Sequence, residues 1–103
     1  MGVEINGFAT LVSHTIIVGK KKEKIKGNKA DVILAAYNSI QAALRMMTKE
    51  NTNNNITEII SKICKDYNVN SIEGVLSHRM KRDIIDGLET IINKSTVDQK
   101  FDE

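Results

Sequence analysis

Two dipeptides, Asn6-Gly7 and Asp86-Gly87, constrain the fold more than any other feature of the sequence. Each stands between apolar runs, and the tightest β-hairpin turns need residues that adopt a positive φ, as Asn, Asp and Gly do. The sequence therefore predicts a β-hairpin near each end of the chain. The second arm of the first hairpin is expected to run from Phe8 to Val18, with apolar residues on both faces that predict cover on two sides.

The segment from Ile72 to Ile92 contains the second turn signal and allows two interpretations. A helix fits because five apolar residues keep a spacing of three to four: Ile72, Val75, Leu76, Met80 and Ile84. We favour strand structure from Val75 onward, because Gly74 and Gly87 bound the segment and β-branched residues fill its end.

Two helices are predicted between the hairpins. The first is expected to have Asn28 as its N-cap and to end near Lys49, with a stripe made of Val32, Ala36, Ile40, Ala43, Leu44 and Met47. Core packing is the favoured role of Met47. The second is expected to begin with a capping box of Asn55 and Glu58, and its stripe is Ile56, Ile59, Ile60, Ile63, Cys64 and Tyr67. Cys64 is interpreted as an inert core thiol.

The order hairpin, helix, helix, hairpin predicts an α+β fold in which two helices pack on an antiparallel sheet. A chain of 103 residues is expected to form one domain, with residues 94–103 as a polar tail. Two hairpins leave strand edges exposed, which indicates a fragment of a larger fold or a surface for self-association.

Composition excludes several classes of protein. No segment has the roughly 18 apolar residues that a membrane span requires, and the N-terminus has no signal-peptide pattern. The lone Cys64 cannot form an intrachain disulfide, so a reducing compartment is expected. Only two histidines are present, neither in a ligand-spaced motif, and no phosphate-cradling glycine loop occurs. Catalysis has no support in the residues, and no cofactor is expected.

Positive charge is unevenly distributed although the net charge is only +2. One cluster is Lys20, Lys21, Lys22, Lys24 and Lys26, and a second is Arg79, Lys81 and Arg82. Both could bind nucleic-acid phosphates, and solvated surface charge is the equally weighted alternative. Because the aromatic residues are scattered, backbone or shape recognition of structured RNA fits better than stacking on single strands.

Four segments together resemble one family over about residues 2 to 98: GVEINGFATLVSHTIIV, GNKADVILAAYNSIQAALRMM, NITEIISKICKDYN and SIEGVLSHRMKRDIIDGLETIIN. This is the family of proliferation-associated, ErbB-binding proteins, which are non-peptidase relatives of type 2 methionine aminopeptidases. The LSH and IIDG–TII segments are the most specific. The resemblance implies the pita-bread fold, of which the chain would be a central fragment.

The resemblance also implies roles for three positions. His78 matches a metal-binding histidine of the aminopeptidases, Leu11 stands where a ligand aspartate belongs, and Asp86 stands at a substrate-contacting histidine. A leucine cannot coordinate a metal, so we expect no metal site and no enzyme, and His78 becomes a relic or a core residue.

The family resemblance implies a non-enzymatic protein associated with ribosomal and other structured RNA, ribosome biogenesis, translation and growth control. Protein partners and self-association are possible, no membrane is involved, and the expected location is the cytoplasm and the nucleus or nucleolus. The alternatives are a fragment of a metal-dependent methionine aminopeptidase and a protein-interaction scaffold.

Overall fold

The structure, a computed structural model, describes residues 1–19, 24 and 26–95. Its elements follow in the order β1 (Gly2–Ile5), β2 (Phe8–Leu11), α1 (Asn28–Met46), α2 (Asn53–Asp66), β3 (Leu76–His78) and β4 (Thr90–Ile92). The mixed α and β composition and the two hairpins agree with the sequence prediction. The prediction of one sheet is wrong, because the described strands form two separate two-stranded sheets, β1–β2 and β3–β4.

The first hairpin turns at Asn6-Gly7, as predicted. Asn6 has a φ of 54° and Gly7 a φ of 86°, and the strands pair from Ile5↔Phe8 to Gly2↔Leu11. The predicted extension of the second arm to Val18 is wrong. β2 ends at Leu11; Val12 still pairs with Met1 by two backbone hydrogen bonds of 2.8 and 2.9 Å, but residues 12–18 are not in a strand.

The predicted cover of this hairpin on two faces is also wrong within the described residues. All of β1 is exposed, and in β2 only Ala9 is half-buried. Val3, Ile5 and Phe8 share one face, because they alternate along the strands and Ile5 stands opposite Phe8. The hairpin therefore presents an apolar face to solvent.

The second hairpin confirms strand structure after Val75, but its turn is not where the sequence places it. Lys81 and Ile84 exchange backbone hydrogen bonds of 2.9 and 3.0 Å around Asp83, whose φ is 62°. Asp86-Gly87 follows on the returning arm. Gly87 is required there for a different reason, since a Cβ at this position would collide with the carbonyl oxygen of Arg79.

The chain divides into two compact units, Met1–Lys24 with His78–Thr90 and Ile25–Ser77 with Ile91–Glu103. In the first unit the two hairpin turns are joined by hydrogen bonds. The Asp83 N–H donates to the Gly7 carbonyl at 2.8 Å, and Arg82 Nε donates to the Asn6 carbonyl at 2.9 Å. A Cβ at Gly7 would force the Asp83 carboxylate to move, and the positive φ of Gly7 is itself unfavourable for residues with a side chain.

The helices of the second unit begin earlier than predicted. Gly27, with a φ of 74°, is the N-cap of α1, and Asn28 is already helical. Thr52 caps α2 through its hydroxyl oxygen, which accepts a hydrogen bond from the Asn55 N–H at 3.4 Å. The N-cap roles predicted for Asn28 and Asn55 are therefore wrong, because a glycine with positive φ and a better-placed hydroxyl start the helices first.

The core of the second unit forms where α1 and α2 pack together. Its buried residues are Ala35, Ser39, Ile56, Thr57 and Ile92. The α2 stripe is confirmed, with Ile56 buried and its other members partly buried, Cys64 among them. The α1 stripe is offset from the true core face, since small Ala35 and Ser39 allow the close approach. Core packing of Met47 is wrong, because this side chain is 56% exposed.

Hydrogen bonds fix the packing of the second unit. The Thr57 hydroxyl donates to the Ile92 carbonyl at 2.8 Å, and Asn38 Nδ2 donates to the Tyr67 hydroxyl oxygen at 2.7 Å. Lys94 lies 3.6 Å from Glu73 in an exposed ion pair. Residues 96–103 of the predicted polar tail lie outside the described residues, and the prediction of a single domain stays a prediction. Neither described helix is long and apolar enough to cross a membrane.

Candidate nucleic-acid interface

The lysine-rich segment can be followed only in part. Lys20, Lys21 and Lys22 lie outside the described residues, whereas Lys24 and Lys26 are described and exposed. Lys24 belongs to the first unit and Lys26 to the second. Exposed lysines are compatible with phosphate binding and with simple solvation alike.

The second cluster lies on the β3–β4 hairpin beyond His78, wholly within the first unit. Arg79 Nη1 forms an ion pair with Glu89 Oε2, and Lys81 Nζ lies 4.0 Å from Glu89 Oε1. Strand pairing sets this arrangement, because the Arg79 N–H donates to the Glu89 carbonyl at 2.8 Å. Two cations thus surround one carboxylate, and all three side chains are about 60% exposed.

Arg82, the third cation of this cluster, has different partners. Its Nε donates to the Asn6 carbonyl, and its guanidinium lies 5.9 Å from the centre of the Phe8 ring. These are a hydrogen bond and a cation–π contact, both within the first unit. The three residues that are adjacent in sequence therefore divide into an ion-paired couple, Arg79 and Lys81, and a residue that joins the two turns.

The environment of Glu89 lowers the pKa of its carboxyl. The hydrogen bond from Arg79 lowers the pKa of this carboxyl below its ordinary value, desolvation opposes that effect in smaller measure, and the positive charges of Arg79 and Lys81 lower the pKa further. Glu89 is therefore ionised at neutral pH and neutralises part of the charge of its two neighbours.

His78, the position that resembles a metal-ligand histidine, lies beside a backbone carbonyl. His78 Nδ1 lies 3.0 Å from the Gly87 carbonyl oxygen, and His78 is exposed. Leu11 ends β2 opposite Gly2, and Asp86 lies on the returning arm of the second hairpin. Among the described residues no group of three His, Cys, Asp or Glu side chains could hold a metal ion.

Sequence reasoning missed a second feature, an apolar groove of about 470 Å³ in the second unit. The large α1 side chains that sequence analysis assigned to a packed stripe line it, together with residues of α2 and the following loop: Val32, Ile40, Leu44, Met47, Ile60 and Ile72. Ser39 also lines the groove, and its buried hydroxyl has no hydrogen-bond partner among the described residues. The four-residue spacing of small Ala35 and Ser39 on α1 was the available signal.

No family model matches the chain. The chain is 43% identical over 102 residues to Proliferation-associated protein A of Dictyostelium discoideum, a match that covers 98% of this chain and 26% of that protein. It is 38% identical over 103 residues to ERBB-3 BINDING PROTEIN 1 of Arabidopsis thaliana, covering 100% of this chain and 26% of the relative. A 92-residue match at 40% identity to Curved DNA-binding protein of Schizosaccharomyces pombe covers 89% and 24%. The chain thus spans about a quarter of the length of the curated relatives it matches.

Proposed function

Because the chain belongs to the family of proliferation-associated, ErbB-3-binding proteins, we propose that it is a non-enzymatic nucleic-acid-binding segment whose partner is structured RNA, ribosomal RNA above all. The observation that carries the proposal is the pair of exposed cations, Arg79 and Lys81, on the second hairpin. The proposed protein acts in ribosome biogenesis, translation and growth control, in the cytoplasm and the nucleolus.

Two observations support a nucleic acid as the partner. Phosphates are recognised by Arg and Lys side chains without demanding geometry, and an Arg presents a planar fork that suits them. One relative is named a curved DNA-binding protein, a name that describes binding to a nucleic acid of a particular shape. Shape recognition also agrees with the position of Phe8, the aromatic residue of the first unit, which contacts Arg82 and leaves Arg79 and Lys81 without a stacking platform among the described residues.

The absence of catalysis is part of the proposal and has its own test. Leu11 cannot replace a carboxylate ligand, and His78 has a backbone carbonyl as its ring partner. We expect a preparation incubated with cobalt, manganese or zinc and then desalted to retain no stoichiometric metal and to release no methionine from a peptide. Retained metal together with methionine release would replace this proposal with the aminopeptidase alternative.

The central experiment is a titration of the chain with a fluorescently labelled ribosomal RNA hairpin at several salt concentrations. Binding through phosphates predicts a log–log salt slope of roughly −0.7 to −0.9 per neutralised phosphate. Changing Arg79 and Lys81 to alanine should make the slope less negative by about that amount for each phosphate that is no longer neutralised. A third sample with alanine at positions 20, 21 and 22 measures the contribution of the lysine-rich segment.

The matched control changes Lys62 and Lys65 to alanine. These lysines lie on α2 in the second unit, and their removal lowers the net charge by the same two units. An equal loss of affinity in the control and in the Arg79/Lys81 variant would show a general charge effect and would remove the second hairpin from the proposal. Salt-independent binding, or no binding by the folded chain, would refute the proposal itself.

A protein-binding scaffold is the second candidate, favoured by the exposed apolar face of Val3, Ile5 and Phe8 and by relatives named for ErbB-3 binding. Short strands with free edges can take up a strand from a partner. Binding of ErbB-3, abolished by Ile5→Lys and unaffected by added RNA, would establish this role in place of the first.

A further inference from the structure

Glu89 stands between the proposed RNA-binding cations and any phosphate that approaches them. Its two carboxylate oxygens face different cations, Oε2 toward Arg79 Nη1 and Oε1 toward Lys81 Nζ at 4.0 Å. The backbone hydrogen bond of 2.8 Å from the Arg79 N–H to the Glu89 carbonyl holds the two residues opposite each other across the hairpin. The carboxylate therefore already engages one guanidinium nitrogen of Arg79 and lies near the ammonium of Lys81.

Arg82 has partners other than Glu89. Its guanidinium has its own partners in the Asn6 carbonyl and the Phe8 ring, and it fastens the first hairpin turn to the second. Glu89 therefore contacts Arg79 and Lys81, whereas Arg82 joins the two hairpin turns. Arg79 and Lys81 are the cations proposed to bind RNA, and Arg82 is a positioning residue.

We infer that Glu89 is a built-in competitor of phosphate that masks Arg79 and Lys81 until RNA displaces it. The inference rests on the proposed function and adds its regulation. Carboxylate and phosphate oxygens compete for the same donors, so a phosphate that takes the Arg79 Nη1 donor must displace Glu89 Oε2. An ion pair as exposed as this one is weak, so a polyanion with several phosphates can displace it.

The consequence is a tuned affinity. An RNA that binds through Arg79 Nη1 must first break the Glu89 contacts, which favours RNAs that place phosphates on Arg79 and Lys81 together and disfavours isolated phosphates. The masked state also lowers the positive potential that nonspecific polyanions meet on this hairpin. Removing the competitor should raise affinity for structured RNA and should raise affinity for unrelated polyanions at least as much.

The test compares Glu89→Gln with wild type in the RNA-hairpin titration, with heparin as the unrelated polyanion. Glutamine keeps the size of the side chain and removes its charge. We expect RNA affinity to rise about two- to fivefold, the range that an exposed ion pair can account for. The salt slope should become more negative by up to about 0.9, because one more unit of positive charge meets the phosphates.

The control is Glu73→Gln, which removes the same charge from an exposed ion pair with Lys94 in the second unit. It should change neither affinity nor slope. Glu89→Gln placed on the Arg79/Lys81 alanine background should also have no effect, because the cations through which it acts are gone. Equal gains from Glu89→Gln and Glu73→Gln, or a gain that persists on the alanine background, would overturn the inference.

A measurement on the unaltered chain guards against a folding defect in the variant. The Glu89 carboxyl carbon can be followed by NMR in acid titrations, with and without RNA, that extend below the lowered pKa. Displacement from Arg79 should raise the pKa of Glu89 toward its ordinary value, whereas a retained ion pair would leave it unchanged and refute displacement. If the wild type binds RNA with a steep salt slope while the pKa of Glu89 does not change, only the inference fails. Absence of binding refutes the proposed function.

Discussion

Replacing Thr57 by valine would test how the second unit holds β4 to its helices. Thr57 is 2% exposed, and its hydroxyl donates to the Ile92 carbonyl at 2.8 Å across 35 positions of the sequence. The same oxygen lies 3.2 Å from the Asn53 carbonyl, but one hydroxyl hydrogen cannot serve both acceptors well, and the shorter contact is the stronger. Valine has the same shape as threonine and removes only the donor.

The expected loss of folding stability follows from the Ile92 carbonyl, which is left without a hydrogen-bond donor. Ile92 is 6% exposed, so its carbonyl loses a partner in surroundings that water does not readily reach. A buried acceptor stranded in this way costs about 1–3 kcal/mol. For a chain of this size, each kcal/mol lowers the melting temperature by about 4–8 °C. Thermal unfolding followed by far-ultraviolet circular dichroism would measure the shift directly.

Ser39→Ala is the matched control, since it also deletes one buried hydroxyl of the second unit. Ser39 is 7% exposed, and its oxygen has no hydrogen-bond partner among the described residues. Removing an unsatisfied polar atom should leave stability unchanged or raise it by up to about 1 kcal/mol, and alanine is also the better helix former. A Thr57→Val chain as stable as wild type, or an equal destabilisation of both variants, would refute the reasoning.

Three further outcomes can be checked in the same preparation. Gly87→Ala should destabilise the chain by about 1–3 kcal/mol in a urea titration, because a Cβ there collides with the Arg79 carbonyl oxygen, and a backbone atom cannot rotate away. Tyr67→Phe should cost about 0.5–1.5 kcal/mol in the same titration, since the amide of Asn38 loses the acceptor at 2.7 Å. The lowered pKa of Glu89 gives a stabilisation that is present above the unfolded-state pKa and is lost as the pH falls through the folded-state value; NMR titration should show Arg79→Ala moving that pKa upward.

The helices and hairpins could be predicted from sequence because local spacing encodes them. The α2 stripe matched its partly buried face, and Asn6-Gly7 formed the turn that both residues favour by themselves. The face of α1 could not be predicted in the same way. Its larger apolar residues suggested the core, whereas the helix uses small Ala35 and Ser39 for contact and leaves Ile40 and Leu44 exposed along the groove.

The candidate site, too, could be predicted only in part from the sequence. The adjacency of Arg79, Lys81 and Arg82 was visible in the sequence, but their partners were not, because partners depend on strand register. A two-residue turn at Asp86-Gly87 would have placed Ile84 opposite Glu89.

In the structure Lys81 pairs with Ile84, and Arg79 is bonded to Glu89. One residue, Met80, therefore stands against the four residues 85–88 on the returning arm. These extra residues carry Leu88 fully into solvent and bring Gly87 against the Arg79 carbonyl. The four residues opposite Met80 thus place Glu89 beside Arg79 and Lys81. Gly87, which the sequence suggested as a turn residue, instead helps to determine which cations the Glu89 carboxylate contacts.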